Sequence, residues 1–303
     1  PFFLYYVPAA NHFQRNRSGD YAVPKFLDGK PVKGTSRYTD GIKGSEREDM
    51  VIENDIAFGS LLKMLEETDD PRNPGHKLID NTLIIFTSDN GPNVGDNEGT
   101  NQESGGLRGK KAKIWEGGHR VPFILFRKQH FEGGTINRNL FSLTDLFATI
   151  ANIVDDTLKP SEAQDSLDSL TYWQNPTMED SRPRYFFCHL GPPYENDAIA
   201  IRQRSEKVII KGGLARPWTE RGSSGSSIAS VVYDLKNDPF EKLNFSKTSN
   251  STDSMVHRLL RIHNQGYSRN LIHPISKNLI LDDGWHNLRN DITGSVGFQF
   301  KIK

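Results

Sequence analysis

The sequence predicts an α/β protein: a mainly parallel central sheet covered by helices on both faces, with a small antiparallel sheet towards the C-terminus. Three observations predict it. Residues 2–7, 82–87 and 121–126 are short, near-continuous apolar runs, the pattern of strands buried on both faces. Segments with helical periodicity, 46–67 and 143–154, are interspersed with them. Beyond residue 183 the strand-like runs become short and closely spaced, as in antiparallel sheets.

The chain opens with Pro1-Phe2-Phe3-Leu4-Tyr5-Tyr6-Val7, a buried strand in pattern, with no initiator Met, signal peptide or lead-in. A domain entered in mid-strand is expected to be truncated, with its central sheet incomplete at the N-terminus. A polar loop over 13–45, rich in Gly, Pro, Arg and Lys, leads to the helix 46–67. Phe58, Leu61, Leu62 and Leu65 take the i, i+3, i+4, i+7 spacing of one buried face. Ser45 caps the start, acids follow closely, and Asp69-Asp70-Pro71 ends the helix. Strand 82–87 runs into a polar, glycine-rich loop, strand 121–126 follows, and helix 143–154 closes the first part.

A polar stretch then runs to about residue 183. The short strands are expected at 184–190, 198–202, 207–210 and 229–235, with a Gly/Ser-rich loop at 222–227 and a helix near 253–264. Gly284-Trp285, Thr293-Gly294 and Val296-Gly297-Phe298-Gln299-Phe300 resemble the opening of an appended β module. The expected division is 1–175, 176–268, and 269–303 as a linker and the start of that module. No internal repeat is present.

The 303 residues suffice for one large domain and a smaller one. Thirty-eight basic residues balance thirty-eight acidic ones, so the overall charge argues against a nucleic-acid binder. Cys188 is the single cysteine, which excludes an internal disulfide and argues against a cysteine zinc site; its context reads as core of the small sheet. No apolar stretch reaches the roughly eighteen residues of a transmembrane helix.

The chemistry concentrates at 82–120. Strand 82–87 delivers Asp89 and Asn90 at its carboxyl end, where ligands bind in open α/β sheets. Hard oxygen ligands suit Ca²⁺ or Mg²⁺. The plain reading of Asp89-Asn90-Gly91 is a turn. Lys110 and Lys111 follow in a glycine-dense setting; they are either solvated loop lysines or a grip on an anionic ester beside a cation. A nucleotide-binding loop is rejected, because Gly105-Gly106-Leu107-Arg108-Gly109-Lys110 has too few residues between its glycines and no Ser or Thr after the lysine. His12 lies just beyond strand 2–7. It is either incidental or, if that strand shares an edge with strand 82–87, a fourth member of one crevice.

These segments resemble the sulfatase family, in order and spacing. Pro1-Phe2-Phe3-Leu4-Tyr5-Tyr6 leading to His12 is similar to the strand that ends in a substrate-binding histidine. Thr87-Ser88-Asp89-Asn90-Gly91-Pro92 resembles the segment whose Asp-Asn pair holds the active-site Ca²⁺. Leu107-Arg108-Gly109-Lys110-Lys111 with Trp115-Glu116-Gly117-Gly118-His119-Arg120-Val121-Pro122 resembles the signature around the active-site lysine, which by spacing matches Lys111. Val232-Tyr233-Asp234-Leu235-Lys236-Asn237-Asp238-Pro239-Phe240-Glu241 is similar to a motif of the C-terminal subdomain. The resemblance covers about residues 1–265. The chain departs from the family pattern in the Phe13-Gln14 that follows His12, and it contains no Cys/Ser-x-Pro-x-Arg motif, from which the family makes its formylglycine nucleophile.

The resemblance implies an alkaline-phosphatase-like sandwich plus a small antiparallel C-terminal sheet with a helix. Residues 1–175 would be the C-terminal part of the catalytic domain. It implies a sulfuric ester hydrolase using Ca²⁺, or Mg²⁺, with the formylglycine upstream. Lys111 and His12 would be catalytic and sulfate-binding, and Asp89 and Asn90 metal ligands. The partner implied is a sulfated small molecule or carbohydrate, and the location secreted or periplasmic. The alternatives are a phosphate or phosphonate ester hydrolase of the same superfamily and an inactive fragment.

Overall fold

A computed structural model describes residues 1–12, 22–93, 104–159, 162–163, 166–180, 186–190, 198–211 and 230–242. The expected helix 253–264, the loop 222–227 and the segment 269–303 lie outside the described residues. The chain divides into two compact units, 1–86 with 123–133, and 87–122 with 134–303.

In the first unit, β1 (Phe26–Leu27) and β2 (Lys30–Pro31) form an antiparallel hairpin within the segment expected as loop. Its turn residues, Asp28 and Gly29, both take positive φ, 50° and 72°, as a tight two-residue hairpin turn demands. α1 (Glu46–Glu67) coincides with its prediction. The Ser45 hydroxyl accepts from the Arg47 N–H at 3.2 Å and the Glu48 carboxylate accepts from the Ser45 N–H at 2.6 Å, a capping box. Asp49, buried in the first turn, accepts the Gly34 and Ser36 N–H groups at 2.6 and 2.9 Å and fastens the preceding loop to the helix.

β3 (Ile84–Thr87) and β4 (Phe123–Phe126) form a two-stranded sheet. Both were expected to be buried on each face. Instead Phe86, Ile124 and Phe126 are 44, 58 and 45 % exposed, because two paired strands cover neither face fully. The larger correction concerns residues 2–7. They form no strand, and Phe2 to Val7 are all at least half exposed, Tyr5 at 80 %. An apolar run becomes a buried strand only with a hydrogen-bonding neighbour and a layer over it; among the described residues this run has neither.

Among its described residues the second unit holds three short α-helices and the small sheet. α2 (Glu116–His119) follows the lysine pair. The helix expected at 143–154 begins as a 3₁₀ turn, Leu143–Asp145, and continues as α3 (Leu146–Ile153). Buried Asp145 accepts the Ser142 and Leu167 N–H groups at 3.0 and 2.9 Å, and Thr149 Oγ1 accepts that of Ser169 at 3.0 Å, so polar side chains stitch α3 to the strand-free stretch after it. That stretch carries α4 (Leu170–Gln174), whose Trp173 meets Phe141 edge-on at 5.3 Å.

β5 (Phe186–Leu190), β6 (Ala198–Gln203), β7 (Glu206–Lys211) and β8 (Ser230–Asp234) form the predicted antiparallel sheet, in the order β5-β6-β7-β8. The side chain of Cys188 lies outside the described residues. Ala200, Ile209, Tyr233 and Leu235 pack with Ile114 into one buried cluster, with Trp115 and Val231 against it. The sheet therefore takes as part of its cover the segment that follows the lysine pair. Among the described residues no helix is long and apolar enough to cross a membrane.

Candidate active site

Thr87 ends β3 and opens the second unit, and Ser88 to Pro92 form a tight turn. The exposed Asp89 carboxylate accepts the Asn90 N–H through Oδ1 at 2.9 Å, with the Ser88 hydroxyl 3.5 Å away. The Asn90 side-chain amide donates to the Gly91 carbonyl at 2.8 Å, which fixes that side chain and leaves its oxygen as an acceptor.

Two backbone hydrogen bonds dock this turn onto the lysine segment. The Gly91 N–H donates to the Gly118 carbonyl at 2.9 Å, and the Lys111 N–H to the Pro92 carbonyl at 2.7 Å. The approach is so close that only glycine fits. A Cβ on Gly91 would collide with the Gly117 carbonyl, and one on Gly117 would sit 2.6 Å from the carbonyl oxygens of Arg108 and Gly109. Glycine here serves close backbone approach. Lys110 to Lys113 make a turn closed at 2.9 Å, with Ala112 in the left-handed region at φ 63°. A non-glycine residue held there stores strain that its surroundings must impose.

Those surroundings are charged and buried. Glu116, fully buried, receives the Arg202 guanidinium at 2.6 Å and the Lys207 ammonium at 3.1 Å. Lys207, also fully buried, reaches the Glu241 carboxylate at 2.8 Å, and Glu241 accepts the Glu116 N–H at 2.7 Å. Burial opposes the Glu116 charge, but the His119 hydrogen bond and the fields of Lys207 and Arg202 outweigh it and hold this carboxyl far below the usual glutamate range. Burial pushes Glu241 up, partly offset by Lys207. Arg108 donates to the Tyr233 hydroxyl at 3.2 Å and the Glu241 carbonyl at 3.0 Å, with its guanidinium 4.4 Å over the Trp115 ring.

Three of the four predicted site residues thus belong to one unit, with the Asp89-Asn90 turn bonded directly to the backbone of Lys111. Lys111 is half-buried. His12 belongs to the first unit, where it is exposed and its N–H donates to the Ala9 carbonyl at 3.2 Å. The sequence reading passed over Glu116, Arg202, Lys207 and Glu241. A lone acid between Trp115 and Gly117-Gly118 was a usable signal, and Glu241 closes the quoted motif 232–241; Arg202 on β6 and Lys207 on β7 had none.

Among the described residues no group of three or more His, Cys, Asp or Glu side chains could hold a metal ion. Asp89 and Asn90 supply two hard oxygen donors on one turn. They suit Ca²⁺ or Mg²⁺ as part of a shell, against the roughly six to eight oxygens Ca²⁺ takes.

The sulfatase family model matches residues 1–156. The chain is 29% identical over 257 residues to the N-acetylgalactosamine-6-O-sulfatase of Bacteroides thetaiotaomicron, covering 82% of this chain and 44% of that protein. It is 32% identical over 287 residues to the N-acetylgalactosamine-6-sulfatase of Rattus norvegicus, covering 88% of this chain and 48% of that one. The chain therefore spans about half the length of these relatives. Its fold is similar to that of BT4656, solved in complex with its substrate D-glucosamine-2-N,6-O-disulfate, with a TM-score of 0.53 at 22% identity over 72% of this chain and 39% of that one. A family match over half the sequence, joined to the Asp89-Asn90 turn and the glycine-packed lysine segment, places this chain in the sulfatase family.

Proposed function

We propose that the protein hydrolyses a sulfate ester on a 6-O-sulfated amino sugar, and that this chain supplies part of the active site. The observation that carries the reading is the docking of the Asp89-Asn90 turn on the Lys111 backbone, which puts two residues with hard oxygens and one lysine on adjoining turns. The sugar class follows the relatives named above, two of which act on the 6-sulfate of N-acetylgalactosamine and one of which binds a 6-O-sulfated glucosamine.

Asp89 and Asn90 would hold the divalent cation. The cation would supply neutralising charge, and a formylglycine the nucleophilic oxygen. Lys111 binds the anionic sulfate oxygens and stabilises the charge that grows as the ester S–O bond breaks. His12, in this reading, would bind sulfate too, and one of the two would assist the departing sugar oxygen. A secreted or periplasmic location fits this substrate class.

The test is sulfate release from a 6-O-sulfated N-acetylhexosamine by the full-length gene product, compared with phosphate release from the matching 6-phosphate. Sulfate release is expected to dominate; preferred phosphate release overturns the reading in favour of a phosphoesterase.

A further inference from the structure

We infer that Glu116 is a positioning residue for Lys111, acting through a buried charge quartet anchored on the C-terminal sheet. The inference rests on the reading of Lys111 as the sulfate-binding cation.

Lys111 sits on a strained turn, with Ala112 at φ 63° and Gly109 at φ 86°. Glycine suits the positive φ at Gly109, but nothing in the turn's own sequence favours the one at Ala112. It is held from outside by α2. The Gly117 N–H donates to the Arg108 carbonyl at 2.7 Å, and a Cβ on Gly118 would stand 2.8 Å from the Lys110 carbonyl. The two glycines of α2 thus bear directly on the backbone either side of Lys111. α2 itself is one turn long and too short to hold its place alone. Its first residue is Glu116, and that residue is tied four times: by Arg202 and Lys207 to its carboxylate, by Glu241 to its N–H, and by His119 within its own turn at 3.6 Å. The charged links from β6 and β7 to α2 run through Glu116, Arg108 adds hydrogen bonds to Tyr233 and Glu241, and Ile114 and Trp115 add apolar contact with the same sheet.

Two acids and two bases make the quartet neutral overall. Buried pairs of this kind add little net stability compared with apolar packing, but separating them leaves a charge buried without a partner, which ties each to the partners it has. That is the property a positioning device needs. It also gives the small sheet a part in the site: Arg202 on β6 and Lys207 on β7, the latter 91 positions after Glu116, act through Glu116 on where a sulfate-binding lysine stands.

The test uses the full-length gene product, since this chain supplies part of the site. Its lysines are acylated with a limiting amine reagent, with and without inorganic sulfate, and the extent at Lys111 is read by peptide mass spectrometry against exposed Lys236. In the native chain sulfate is expected to slow acylation at Lys111 and not at Lys236. In Glu116→Gln that protection is lost, and the Lys111 to Lys236 ratio shifts about fivefold, the scale of a one-kcal/mol change in local order. Arg202→Gln reproduces the effect and Arg202→Lys restores native behaviour, with all variants checked by circular dichroism. If Glu116→Gln does not fold, the two Arg202 variants decide. Folded variants with native protection and ratio overturn the inference. Absence of protection in the native chain refutes Lys111 as the sulfate ligand instead, and the unprotected ratio then still decides the positioning role.

Discussion

Glu116 and Glu241 share one buried lysine: the Lys207 ammonium stands 3.1 Å from the first carboxylate and 2.8 Å from the second, while Glu241 also accepts the Glu116 backbone N–H at 2.7 Å. Glu116 keeps its charge through the hydrogen bond and cations around it, in spite of its burial, and Glu241 is pushed the other way by burial. Two acids around one cation thus titrate in opposite directions.

Acid should expose this opposition. A carboxyl held low stabilises the fold fully above the ordinary glutamate range, and that contribution drains away as pH falls through and below it. Glu241, held high, binds a proton more readily folded than unfolded, so its protonation favours the fold on acidification. Urea unfolding between pH 7 and pH 3 should show Glu116→Gln less stable than native by about 3 kcal/mol at neutral pH, the scale of breaking a buried pair. The gap should narrow as pH falls. A constant gap contradicts the depressed state of Glu116.

Gly91 and Gly59 make a matched pair. Alanine at 91 drives a Cβ into the Gly117 carbonyl, whereas at 59, in the middle of α1, it meets nothing within 4 Å. Gly91→Ala should cost about 1–3 kcal/mol as overpacking. Gly59→Ala should gain about 0.5–1 kcal/mol from helix propensity. Thermal denaturation checks both, and loss of stability at Gly59→Ala or neutrality at Gly91→Ala contradicts the packing described.

The 303-residue chain by itself should not turn over an aryl sulfate, because it carries no Cys/Ser-x-Pro-x-Arg motif from which to make the nucleophile. Turnover abolished by Lys111→Ala would reveal a nucleophile of another kind.

What the sequence disclosed was local. Ser45 and Glu48 announce the start of α1, because a capping box is complete within four residues. The short strands of the small sheet also stood out, because period and turns are local signals. The strand reading of residues 2–7 failed on a non-local requirement, a neighbour and a cover, which no apolar run carries in itself. Asp89, Asn90 and Lys111 were found through motifs. The pairing of the quartet was not legible, because its members lie on α2, on two strands and beyond a third. Their charges are those of ordinary surface residues until the fold buries them.

Lys111, not Lys110, grips the sulfate in this reading, and kcat/KM for a sulfate ester in the full-length gene product decides between them. Lys111→Ala should lower kcat/KM by about 10²–10³-fold, the scale of removing one oxyanion-stabilising group, with the unfolding temperature unchanged. Lys110→Ala should change it only a few-fold. Equal losses at the two positions, or a larger loss at Lys110, would contradict the account.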